Sequence, residues 1–528
     1  MRALASVFLS LSLTALCLVL EARHVAGQGS RPQRGQREID SMVALFYRRQ
    51  DGPAAWISSG RPSANATSLV ASLLEAGKDG LESRDYGAQS LARDLESVNP
   101  FDSPGPIDSM LTRAFFEFAR DLSLGRVRPK TVNRSWRETA KAIDFVHLLE
   151  GSLASGEIRQ TLERLAPAHA GYRKLREGLA YYRGLDSAGG WPIIPAGAAI
   201  RPADEDWRLP TIRRRLALEN FEGGPPDSAE VYDAELEAQV RKYQERRGLT
   251  VDGIIGPATV ASLNVGPAER VRQIVINLER WRWLPRALER PYVMVNTAGF
   301  LVDYVPEDGN GLTSRVIVGR RDWPTPIVSS TITAVVFRPS WSVPHSIAGK
   351  ELLPLIRANP GYLRQQGFRV FKGKQEVNPA AVVWTSISRR SLSYRFVQKP
   401  GPYNPLGGAK LQFATDFGVY LHDTPSRALF ELYPRRLSHG CVRVERIAEL
   451  VARLLPGWSL DSVLTEMQHR EEHRVPLAAD VPVHLVYWTA WVDGEGVQFR
   501  DDGYGWDSPM QAGRSETASA SPVPSYQR

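Results

Sequence analysis

The sequence predicts an α+β multidomain protein: a helical first part, a small helical module, and a β-rich last part carrying a helical insertion. Three observations lead there. Apolar residues recur at helical spacing from Ile39 to about Arg183, as in Leu111, Phe115, Phe118 and Leu122 and again in Leu148, Leu149, Leu162 and Leu165. A Gly/Pro stretch from Gly189 to Pro202 breaks that pattern. Beyond Tyr292, β-branched and aromatic residues alternate with polar ones. With 528 residues, 43% of them hydrophobic, the chain exceeds what one ordinary core holds, so two to four domains are expected.

In chain order, Met1 and Arg2 precede an apolar run from Ala3 to Leu20, and small residues Ala26 and Gly27 follow. This is the layout of a secretory signal over residues 1–27, with an uncleaved membrane anchor as the alternative, since the run is close to spanning length. Cys17 does not make a lipoprotein signal, because Leu16 before it is bulky. Residues 28–38 are rich in Gly, Arg and Gln and read as a flexible linker; residues 508–528 read as a disordered tail. The helical region is placed at 39–228 and the module at 229–266. In that module Leu236, Val240 and Tyr243 line one face, Gly248 ends the helix, Asp252 and Gly253 turn, and Pro257 opens a second helix. The β-rich domain is placed at 290–495, with strands at Val293 to Asn296, Arg315 to Gly319 and Ile332 to Arg338. A helical stretch from Ser346 to Gly367 opens an inserted cap of about 346–402. Strands near Phe413 and Val419, a helix from Glu445 to Leu455 and a strand from Val483 to Trp491 complete it.

The net charge of +8 is spread along the chain, which suits solubility; no motif supports nucleic-acid binding, and export argues against it. Of two cysteines, Cys17 lies in the signal, so the exported chain keeps one thiol, Cys441, either reactive or buried and inert. Its neighbours favour chemistry: Tyr420, Leu421, His422, Asp423, Thr424, then after a loop Leu437, Ser438, His439, Gly440, Cys441, Val442, Arg443. A thiol attacks as thiolate, so it needs an imidazole beside it. His422 closes a predicted strand and is the candidate base, while His439 supports the loop or assists. Gly440 would let the N–H groups of Gly440 and Cys441 face a developing oxyanion. Arg443 could bind a substrate carboxylate or pair with Glu445. Trp341, Tyr403 and Asn404 flank the insertion and line a substrate groove or a core. The histidines lack metal-ligand spacing, and the chemistry needs no metal or cofactor.

Two resemblances add to this reading. Leu236, Val240, Gln244, Gly248, Leu249, Asp252, Gly253, Gly256, Thr259 and Leu263 resemble the peptidoglycan-binding type 1 repeat, which implies a small three-helix module. His422, fifteen intervening residues, then Ser438, His439, Gly440, Cys441 and Arg443 resemble the signature of the L,D-transpeptidase (YkuD-type) catalytic domain, with Arg443 where many members carry asparagine. The order of regions, together with Asn277, Glu279, Arg280, Trp281 and Trp283, is similar to the YcbB-like multidomain branch of that family. The resemblance implies a helical scaffold onto which Trp207 to Ala217 packs back, and a periplasmic location. It further implies acylation of Cys441 by a tetrapeptide stem with loss of D-alanine, then transfer to a side-chain amine of a second stem. Tyr420, Ser438 and Arg443 are then substrate contacts, the cap excludes water, and carbapenems acylate Cys441. Implied partners are peptidoglycan stem peptides and glycan and other cell-wall synthesis enzymes, with the membrane a partner only if the signal is retained. The alternatives are an L,D-carboxypeptidase or endopeptidase using water, or a noncatalytic wall-binding protein.

Overall fold

A computed structural model describes residues 33–50, 54–98, 105–133, 136, 142–219 and 230–518; the signal at 1–27 and the last ten residues of the tail lie outside the described residues. No described helix is long and apolar enough to cross a membrane. The first domain is built of α1 (Gln33–Arg49), α2 (Ala64–Leu74), α3 (Ala88–Glu96), α4 (Gly105–Leu124), α5 (Phe145–Ser155), α6 (Ile158–Leu165) and α7 (Ala170–Ser187). The expected linker is helical from Gln33 onward, because Ile39 and Phe46 are buried in the scaffold core and order the turns before them.

The small module consists of α8 (Leu209–Ala217), α9 (Ala234–Arg247) and α10 (Pro257–Leu263). Leu209, Ile212 and Leu216 of α8 share a core with Leu236, Val240, Tyr243 and Leu263. The packing expected of Trp207 to Ala217 onto residues before Gly189 is thus corrected: α8 turns its apolar face to the module. Ile200 and Ile255 exchange backbone hydrogen bonds of 3.2 and 3.0 Å, which ties the Gly/Pro stretch to the same unit. Asp233 caps α9 by accepting from Leu236 N at 2.8 Å, and Gly248 ends it at φ 62°, where a side chain would be strained.

The helix α11 (Pro267–Trp281) joins the parts. Its Glu279 accepts from Val127 N at 2.7 Å and from Arg282, its Arg280 donates to Asp507 at 2.6 Å, and Trp281 stacks on Trp488 with ring centroids 4.1 Å apart. The expected disordered tail is corrected as far as the described residues go. Asp507–Ala518 is a helix, held by the Asp507 pairing and by the buried Met510 beside Trp136 and Trp506.

The last domain is a sheet closed on itself. Its strands are β1 (Tyr292–Asn296), β2 (Leu301–Val305), β3 (Leu312–Gly319) and β4 (Val328–Phe337), then, after the cap, β9 (Ala409–Phe413), β10 (Leu421–His422), β11 (Arg436–Ser438), β12 (Val442–Val444) and β13 (His473–Val486). They run in the order β11-β3-β12-β10-β9-β4-β13-β1-β2, and β2 also pairs with β3, which closes the ring. Alternate residues such as Val316, Val318, Val335, Leu411, Leu421, Val442 and Val444 share its core with Leu450 and Val451 of α12 (Ile447–Leu454). The predicted strand from Val483 to Trp491 is broken: β13 stops at Val486, and Ala490–Asp493 pairs instead with Gly496–Phe499. The cap is also corrected, from helical to mixed. Besides helical turns between 345 and 365 it holds β5 (Trp341–Ser342), β6 (Phe368–Lys372), β7 (Gln375–Val377) and β8 (Tyr394–Gln398), a four-stranded sheet over a core of its own.

Candidate active site

Strands β10 and β12 are parallel neighbours, with Leu421 opposite Val442 and His422 opposite Arg443. Because side chains alternate along a strand, and Leu421, Val442 and Val444 face the core, the other face carries Tyr420, His422, Cys441 and Arg443. Val442 N donates to Tyr420 O at 2.9 Å and fixes the register that sets Cys441 and His422 on neighbouring strands.

His422 is 3% exposed. Its Nδ1 lies 2.5 Å from the carbonyl oxygen of Asp423, which can only accept, so Nδ1 carries the proton and Nε2 keeps a lone pair. Burial first, and then the Arg443 and Lys410 charges, depress its pKa to about 3 against the opposing Asp423 bond, so the ring is neutral at ordinary pH. The Cys441 thiol is raised by burial, while the Tyr420 backbone N–H and the Arg443 and Lys410 charges pull it down. Its Sγ donates to Gly418 O at 3.9 Å, and among the described residues it makes no hydrogen bond to His422. Resting thiol and imidazole are therefore both uncharged, and catalytic contacts commonly tighten only when substrate arrives.

Several expected roles change. Gly440 does need its glycine, at φ 112°, but its N–H donates to Ser438 Oγ at 3.1 Å, so it is not free for an oxyanion. Among the described residues the Cys441 N–H has no such partner. Ser438 is buried and donates to Cys441 O at 2.5 Å; it braces the loop rather than meeting substrate. Thr325 Oγ1 donates to Gly440 O at 2.8 Å and completes the brace, a contact between distant loops that no local pattern signals. His439 points away from the base: its Nε2 is 2.5 Å from Glu351 of the cap, and its ring meets Trp323 edge-on at 4.5 Å. It tethers the loop to the cap. Arg443 does not pair with Glu445, whose carboxylate is held by Arg315, and it forms no ion pair among the described residues.

Of the flanking residues, Asn404 is 1% exposed and consumed by hydrogen bonds to Pro339 O and Leu406 N, so it holds the base of the cap and lines no groove. Trp341 packs on Phe368 inside the cap. Tyr403 is 62% exposed, and its backbone oxygen accepts from Gln398 at 3.1 Å. Sequence reasoning missed Lys410, which lies directly opposite His422 on β9 with its ammonium 4.7 Å from the Tyr420 ring centroid. Alternation along β9 was the available signal, since Ala409, Leu411 and Phe413 face the core and leave Lys410 on the other side. No group of three or more His, Cys, Asp or Glu fit to hold a metal occurs among the described residues.

A half-buried thiol on the same sheet face as a neutral imidazole, under a cap, is an arrangement suited to acyl transfer. Residues 290–463 match the family model of the L,D-transpeptidase catalytic domain, residues 209–263 that of the "Putative peptidoglycan binding domain", and residues 41–179 that of a scaffold domain. The last domain therefore belongs to the L,D-transpeptidase catalytic-domain family, joined in one chain to the other two. A Haemophilus influenzae protein named "Putative L,D-transpeptidase" is 33% identical over 239 residues, 45% of this chain and 48% of its own length, so the chain spans about half the length of that curated relative. A solved L,D-transpeptidase fragment from Xylanimonas cellulosilytica aligns at 14% identity over 55% of this chain and 98% of that one, with a TM-score of 0.19, too low to bear on the fold.

Proposed function

We propose that the chain is an exported, periplasmic cysteine L,D-transpeptidase that cross-links peptidoglycan stems through Cys441. The observation that carries this is the shared face of β10 and β12, where a neutral His422 with its Nδ1 engaged stands beside the only thiol of the described residues. As Sγ attacks the carbonyl carbon of the third stem residue, Nε2 of His422 takes the thiol proton. The Cys441 N–H is the loop donor left for the oxyanion. The bond to the terminal D-alanine breaks, its nitrogen receives the proton from His422, and a thioester remains. The side-chain amine of a second stem then attacks, Nε2 takes its proton, the C–S bond breaks, and the returning proton restores the thiol. The cap, tied to the loop through His439 and Glu351, keeps water from competing. The module presents the chain to the same polymer.

The test is intact mass of wild type and Cys441→Ala after incubation with a carbapenem and, separately, with disaccharide-tetrapeptide. A Cys441-dependent adduct together with a dimeric product one D-alanine short supports the reading. Trimmed tripeptide alone assigns the acceptor to water and makes the enzyme a carboxypeptidase. Neither adduct nor product overturns it.

A further inference from the structure

On the site face, three side chains stand in one transverse row. Lys410 on β9 is opposite His422 on β10, which is opposite Arg443 on β12. Adjacent strands lie about 4.8 Å apart, so the two cations flank the base at roughly 10 Å from one another. Both are half-buried, and among the described residues neither forms an ion pair. The carboxylate with the largest influence on Lys410 is Glu472, yet Glu472 instead accepts from Ser340 N at 2.6 Å. Lys410 rests on the face of Tyr420. Two half-buried cations that form no ion pair among the described residues, either side of the proposed catalytic imidazole, form a site for an anion that arrives with the substrate.

We infer that Lys410 is a specificity-determining residue that binds the free α-carboxylate of the amino acid expelled from the donor stem. The inference rests on the transpeptidase reading above. The nucleophile approaches from β12, and the departing nitrogen must reach His422 to be protonated. What lies beyond His422, on the far side from Cys441, is Lys410. The carboxylate of the leaving residue is three bonds from the scissile carbonyl carbon, within one strand spacing of the base. An ammonium there selects stems that end at the leaving residue over stems whose chain continues.

The experiment compares wild type, Lys410→Met and Lys410→Arg on a tetrapeptide stem and on the same stem with a C-terminal amide. It also measures alkylation of Cys441 by iodoacetate and by iodoacetamide, read by intact mass. Wild type should prefer the free acid by about 10- to 100-fold in kcat/KM, K410M should bring that ratio near one, and K410R should restore most of it. K410M should also lower the iodoacetate-to-iodoacetamide rate ratio by about 10-fold, whatever it does to the thiol, since both reagents attack the same sulfur. Equal slowing of both stems with an unchanged alkylation ratio overturns the inference and makes Lys410 structural. If wild type turns over neither stem but K410M still lowers the alkylation ratio, the anion site stands and the transpeptidase reading fails.

Discussion

Burial works on His422 and Cys441 in the same chemical direction, toward their neutral forms, and the adjacent Arg443 then separates them by disfavouring imidazolium while favouring thiolate. As the proposed base, His422 is therefore neutral over a wide acid range. Carbapenem acylation should keep its rate from pH 7.5 down to about 5.5, and an acid limb near the ordinary imidazole pKa of about 6.5 would contradict the assignment. His422→Gln should slow acylation by about 10²- to 10⁴-fold. The same depression has a stability consequence. A histidine whose folded pKa lies below its unfolded value binds its proton more readily in the unfolded chain. Stability is thus complete above about pH 6.5 and falls as pH drops toward the folded values, about 3 for His422 and about 4 for His484. Each group contributes a slope of up to about 1.4 kcal/mol per pH unit in that window, so thermal midpoints recorded from pH 7 to pH 4.5 should decline, and less steeply in H422Q.

Among the elements, the loop between β11 and β12 and the cap set the surroundings of the thiol. A Cβ at Gly440 would find its nearest neighbour at 3.7 Å, so space is not the objection; the φ of 112° is. Gly440→Ala should cost about 1–3 kcal/mol, seen as a lowered thermal midpoint, and should slow acylation because Cys441 follows directly. The cap holds the loop through Glu351, which also meets Arg320 at 3.5 Å, and through Lys350, whose ammonium lies 4.7 Å from the Trp323 ring centroid. Glu351→Gln weakens that tether and should raise the ratio of trimmed tripeptide to cross-linked dimer in a muropeptide digest, with little change in carbapenem adduct formation.

For the molecule as a whole, a buried carboxylate adds to the α11 links by joining scaffold and module and, through Arg247, the last hairpin. Glu219, just beyond α8, accepts from Tyr182 of the scaffold at 2.6 Å and is paired with Arg215 at 2.8 Å and with Arg247, whose other nitrogen reaches Val497 O of the last hairpin at 3.3 Å. The three arginines around it, Arg215, Arg247 and Arg270, hold Glu219 ionised against its own burial. Glu219→Gln leaves those guanidinium groups without their counter-charge and should destabilise by about 3–5 kcal/mol. Calorimetry of wild type should show one transition shared by module, scaffold and catalytic domain, and the variant should split it.

What the amino-acid order determined by itself is whatever depends on near neighbours. The Asp233 cap, the Gly248 stop and the Gln244 to Asp252 bond of the module are local, and so is the alternation that sets His422 at a strand end beside the loop of Cys441. Tertiary structure alone decided which of those groups remain free. Gly440 N and Ser438 are consumed inside the loop, His439 is claimed by the cap, and Asn404 by the base of that cap. It also closed the sheet through the pairing of β2 with β3, moved α8 into the module and ordered the start of the tail. The same cross-strand pairing brought Lys410 opposite His422 from twelve residues away. Hydrogen-bond partners and charge neighbours across strands are set by register and closure, which depend on the burial of the whole sheet rather than on any short stretch of chain.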